Sequence, residues 1–156
     1  MSNVTAGPFT RLRELGVERR RLLLRAAVLL SLASTAVALL PFRVAIRFGS
    51  VRLGRRAGSV EQCVWAVEAA ARRLPQRTLC IEKGLVVQRL LRSAGTAAIL
   101  HYGARHNPRG GQLEAHVWVS VDGRIVIGGA EAPEFALIAS YPRSRQWSKK
   151  IASSSV

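Results

Sequence analysis

From Ala26 to Leu40 the chain runs fifteen residues without a charge, and any fold has to find a place for that segment. A helix that is apolar nearly all round belongs inside a bundle, behind a sheet, or in lipid. The run falls short of the roughly 18 to 20 residues that cross a bilayer unless Arg25 snorkels at one end. Burial against a core is therefore the first reading, contact with an anionic membrane surface the second, and spanning the third. Pro41 ends the helix, because proline disfavours the helical region at the residue before it. The preceding stretch, Arg11 to Arg21, is basic and reads as helical.

With 156 residues the chain fits a single main domain, and 49% hydrophobic residues supply enough apolar surface for a core. The formal charge of +15 points to an anionic partner: nucleic acid, a membrane surface or an acidic peptide. Nucleic-acid binding is the weaker option, since aromatics make up 6% and no binding motif appears. No secretory cleavage site follows the apolar run, so the expected location is cytoplasmic, with membrane association through residues 22–40 left open. Residues 43–58, rich in arginine and glycine, read as a cationic connector. The expected organisation is a basic and hydrophobic N-terminal region over 1–58, a core over 59–145, and a flexible tail over 146–156.

Ser59-Val-Glu-Gln62 is a capping box, predicting a helix from Val60 to about Leu74, before Pro75. Thr78 is the next N-cap candidate, and Gly95 is a natural end for the helix that follows. Ala97–Arg105 reads as a strand, Asn107–Gly111 as a turn, and Leu113–Val121 as a second strand. Asp122-Gly123 signals a tight hairpin returning along Arg124–Ile127. Helices followed by antiparallel strands give an α+β class, with helices on a small sheet behind a hydrophobic N-terminal helix. Past Pro133 the pattern weakens, and 149–156 reads as a frayed tail.

Cys80 lies where a loop enters a helix, so free backbone N–H groups and the positive end of the helix dipole favour its thiolate. A small apolar role at a helix start is the bland alternative. Cys63 falls inside a helix and reads as structural. His116 shares a strand face with Trp118 and Ser120, and an imidazole beside such a cysteine is a general base and acid. His101 and His106 compete with it, although His106 sits at an exposed turn.

The hairpin permits a test of the third group. If Val121 pairs with Arg124, then Trp118 pairs with Ile127, His116 with Gly129 and Glu114 with Glu131. Asp122, the only aspartate, would stand six residues along the strand from His116, roughly 20 Å away. Glu131 would be one diagonal step off, about 7 Å between Cβ atoms, and Glu114 close by on the same face. A helix-start cysteine and a strand histidine 36 residues later give the layout of a papain-like or transglutaminase-like thiol site.

Arg72-Arg-Leu-Pro-Gln-Arg-Thr-Leu-Cys80, the continuation from Ile81 to Leu90-Leu-Arg92, Glu114-Ala-His-Val-Trp118 and Val121-Asp-Gly-Arg124 occur in order over about residues 60–140. They resemble the lasso-peptide leader peptidases, B proteins with a transglutaminase-like core. The apolar helix ending in Pro-Phe-Arg is similar to the split form of that family, which takes leader recognition from a separate small protein. The resemblance implies a cysteine peptidase that frees a ribosomal precursor peptide from its leader before a lasso cyclase acts. It implies Cys80 as nucleophile, His116 as base and an aspartate as third member; Asp122 is the only candidate of that type, with Glu131 the alternative acid. Trp118 either walls the site or fills the core. No metal, nucleotide or other cofactor is implied, since no phosphate-binding glycine motif or ligand spacing is present.

Overall fold

A computed structural model describes residues 16–51, 58–75, 78–107 and 110–142. Four helices, α1 (Val17–Leu39), α2 (Phe42–Ala45), α3 (Val60–Ala71) and α4 (Cys80–Ser93), precede an antiparallel sheet of β1 (Ala98–His106), β2 (Leu113–Val121), β3 (Arg124–Ile127) and β4 (Ala136–Tyr141). The α+β expectation holds. Strand order is β3-β2-β1-β4, so β2 and β1 are central and every neighbouring pair is antiparallel.

Local chemistry accounts for most element ends. Ser59 caps α3 reciprocally with Gln62, as the sequence predicts. The helix nonetheless ends at Ala71, three residues before the predicted Leu74. Gly95, at φ 87°, closes α4 in the left-handed conformation that a side chain resists. The N-cap of α4 is Leu79 rather than Thr78: Leu79 has no side-chain acceptor to offer, and Glu82 instead accepts its backbone N–H at 2.9 Å. Asp122 and Gly123, at φ 49° and 80°, form the expected two-residue hairpin loop.

One core unites the helices with one face of the sheet. α1 contributes Leu23, Ala26, Leu30 and Ala33, α3 contributes Cys63, Ala66 and Val67, and α4 contributes Leu85, Val86 and Leu90. β1 and β2 meet them with Leu100, Val117 and Val119. Gly84 sets how closely α4 approaches, because a Cβ there would lie 2.7 Å from Val117 Cγ1. Strand alternation sends His116, Trp118 and Ser120 to the opposite face, where Trp118, Ala132 and Phe135 form a second, smaller cluster.

Three sequence expectations are corrected. Residues 43–50 are not a loose connector: α2 is followed by a 3₁₀ turn, Ile46–Ser50, and Ala45, Ile46 and Gly49 are buried. Arg89 of α4 stacks on Phe48 at 4.3 Å and donates to its carbonyl at 3.1 Å, which docks the turn on α4. Residues 52–57 of that expected connector, the basic stretch 11–15 and the tail 149–156 lie outside the described residues, as do 108–109 of the predicted turn. Past Pro133 the chain forms β4, pairing with β1. Lastly, Val121 pairs with Arg124, but Val119 rather than Trp118 pairs with Ile127, because a bulge between Val119 and Ser120 shifts the register by one.

Candidate active site

The bulge decides what surrounds His116. β3 stops pairing at Val119–Ile127, and from Gly128 the chain crosses the sheet face that carries His116. Gly128 adopts φ 75°, and a Cβ at that position would fall 2.6 Å from the carbonyl oxygen of Val117. Only glycine fits so tight a turn against the strand. Its carbonyl oxygen lies 2.9 Å from His116 Nε2. A carbonyl only accepts, so Nε2 carries the hydrogen and Nδ1 is left as the basic nitrogen of the neutral ring. Glu131 Oε2 stands 3.6 Å from Nδ1, an ion pair once the ring is protonated.

The imidazole is buried, stacked near Trp118 with ring centres 6.1 Å apart and tilted against Phe135 at 5.1 Å. Trp118 in turn stacks on His101 at 5.7 Å. His101 is fixed by two hydroxyls, Ser140 Oγ at 2.9 Å from Nδ1 and Ser120 Oγ at 2.7 Å from Nε2, and burial lowers its pKa. The Glu131 segment is anchored by Arg105, which lies over Phe135 at 4.6 Å and bonds both Glu114 and Glu134. Glu114 is thereby drawn from His116 to Arg105 and Asn107; the bond from Arg105 foremost lowers its pKa. Asp122 is exposed at the hairpin tip and makes no bond to His116.

Cys80 is exposed as the first residue of α4, the helix that covers the other face of the sheet through Gly84 and Val117. No hydrogen bond joins its sulfur to His116. His116, Gly128, Gly129, Ala130 and Glu131 line a pocket of about 140 Å³, and Cys80 is outside that lining. The structure thus brings His116 and Glu131 together and leaves Cys80 at the end of α4. Beside His116, the edge of β2 is unpaired by β3. A larger hollow of about 470 Å³ lies between α3 and the β2–β3 hairpin, lined by Trp65, Glu68, Arg124 and Ile125 among others, with no cysteine or histidine. Among the described residues no three His, Cys, Asp or Glu side chains gather as metal ligands. Sequence reasoning missed Gly128, Phe135 and Arg105. The Gly128-Gly129 pair was a visible turn signal, whereas nothing local marks Phe135 or Arg105.

A family model described as the transglutaminase-like superfamily matches residues 21–140, from within α1 through Cys80 and His116 into β4. The chain belongs to the transglutaminase-like superfamily. Members of this superfamily are commonly cysteine peptidases or transglutaminases. No curated protein and no solved structure matches.

Within this transglutaminase-like chain the two cysteines have opposite surroundings. Cys63 has no exposed surface, and burial, helped by the Glu61 carboxylate and opposed by Arg25, pushes its thiol up to about 11. Iodoacetamide applied to the folded protein is expected to add one label, at Cys80, with Cys63 reacting only after denaturation. Peptide mass spectrometry reads this directly; native labelling of Cys63 would contradict the burial.

Proposed function

We propose that this protein is a cysteine peptidase that removes the leader from a ribosomally made lasso-peptide precursor. Cys80 is the nucleophile and His116 the base. One observation carries the reading: a transglutaminase-like match that spans both a helix-start cysteine and a strand histidine. The motif resemblance around Cys80 and His116 narrows it to leader cleavage.

In this reading Nδ1 takes the thiol proton, since Nε2 is committed to the Gly128 carbonyl. The two groups meet in the substrate complex, across the open edge of β2, because catalytic contacts commonly tighten only at that stage. The thiolate adds to the last carbonyl of the leader, and the developing oxyanion is met by the free backbone N–H groups at the start of α4. The tetrahedral adduct collapses as His116 protonates the departing amine, which releases the core peptide and leaves the leader as a thioester. Water then hydrolyses the thioester, giving a leader carboxylic acid and restoring the thiol.

Two groups divide the acid's task. The Gly128 carbonyl sets the tautomer, and the Glu131 carboxylate attracts the imidazolium that forms on Nδ1. Glu131→Gln is accordingly expected to lower kcat/KM about tenfold, the factor that 1.4 kcal/mol represents. Asp122→Asn is expected to change it less than about twofold, since Asp122 lies at the hairpin tip. Cleavage of a precursor peptide, followed by mass spectrometry in the presence of the separate recognition protein, measures both. A larger loss for Asp122→Asn than for Glu131→Gln would reverse the assignment. The partners in this reading are the precursor, the recognition protein and a lasso cyclase. A chain of charge +15 suits acidic contacts on them.

A further inference from the structure

The side of α1 turned away from the core carries a stripe of large apolar residues of its own. Leu23, Ala26, Leu30 and Ala33 are buried, whereas Leu24, Val28, Leu32 and Leu39 are more than half exposed and recur at four- or seven-residue intervals. The stripe continues past the helix end into Leu40 and Phe42, exposed at 45% and 40%. Monomers seldom leave so many neighbouring large apolar side chains in water without a use for them.

Two further features identify the occupant. The exposed hydroxyls along the stripe bond back to the helix: Ser31 Oγ donates to the Ala27 carbonyl at 3.1 Å, and Thr35 Oγ1 to the Ser31 carbonyl at 3.0 Å. Hydroxyls bonded in this way need nothing from a surrounding medium. Exposed arginines also bracket the stripe, Arg21 at its start and Arg43 and Arg47 beyond its end. Two copies meeting on this face would bring these arginines together on chains of charge +15, which disfavours self-association. An anionic lipid surface accepts both the stripe and its cationic ends.

We propose that this face docks on an anionic bilayer, with α1 lying in the interfacial plane, its inner side in the protein core and its outer side among the upper acyl chains. The 23-residue helix is long and apolar enough to cross a bilayer, but spanning would pull Leu23, Ala26 and Leu30 away from α3 and α4, whereas interfacial docking keeps them packed. The inference is independent of the peptidase reading.

Flotation of the full-length protein with vesicles tests it. Vesicles of phosphatidylcholine containing about one third phosphatidylserine are expected to carry the protein up the gradient, while phosphatidylcholine alone retains about tenfold less or lower. Raising the salt should release the bound fraction. The double variant Val28→Glu with Leu32→Glu is expected to stay at the bottom of the gradient, with its circular dichroism and native protection of Cys63 unchanged. Folded wild-type protein that ignores both kinds of vesicle would overturn the proposal, as would a folded double variant that floats like wild type. A concentration-dependent dimer abolished by the double variant, without flotation of either protein, would assign the face to a second copy instead.

Discussion

Cys80→Ala is expected to leave the protein folded and to reduce precursor cleavage by at least about a thousandfold, the scale on which losing a nucleophile acts. His116→Ala should lose a comparable amount, because neither the thiolate nor the protonated leaving group forms efficiently without the imidazole. The double variant should be scarcely worse than either single one, since groups that act as a unit do not add. Cys63→Ala is the internal control: its side chain on α3 is sealed in the core, so cleavage should proceed at the wild-type rate despite some loss of stability. The measurement is the time course of leader and core masses with the recognition protein present. Equal cleavage by wild type and Cys80→Ala would end the peptidase reading. Loss with His101→Ala but not His116→Ala would move the base to the other histidine stacked on Trp118.

The second large effect lies in α1. Leu30→Ala is expected to cost about 2–5 kcal/mol, because Leu30 is fully buried and its loss leaves a cavity in the shared core. Leu32→Ala, two residues on, is expected to change stability by less than about 0.5 kcal/mol, since Leu32 is 52% exposed. Urea denaturation monitored by tryptophan fluorescence reads both as shifts of the midpoint at constant m value. If α1 were a loosely attached appendage, the two substitutions would behave alike. The contrast therefore tests whether this helix belongs to the fold that positions Cys80, independently of any membrane.

Several features of the site were legible because they are local. The Ser59 capping box, the Asp122-Gly123 turn, the start of α4 within a residue or two of Cys80 and the alternation along β2 each depend on side chains within a few residues. Counting outward from the hairpin pointed to Glu131 over Asp122, and Glu131 is the carboxylate beside Nδ1. The counting itself slipped, since the Val119/Ser120 bulge moves Ile127 by one, to Val119, and pairing ends there. A glutamate side chain spans that error; the backbone partner of His116 did not survive it. Gly129 was expected opposite His116, and it is the Gly128 carbonyl that holds the ring.

By itself the sequence determined the order of helices and strands and the net charge, and it singled out Cys80 and His116 as the candidates for chemistry. These follow from propensity, periodicity and composition, which act over a few residues or over the whole chain. Only the tertiary structure decided that 43–50 docks on α4, that β4 returns to β1, and that Glu114 is claimed by Arg105 while Glu131 is left to His116. It also decided which side of α1 is covered. A helix apolar all round carries no directional signal, so the choice between core and solvent falls to the elements that arrive later in the chain to pack against it.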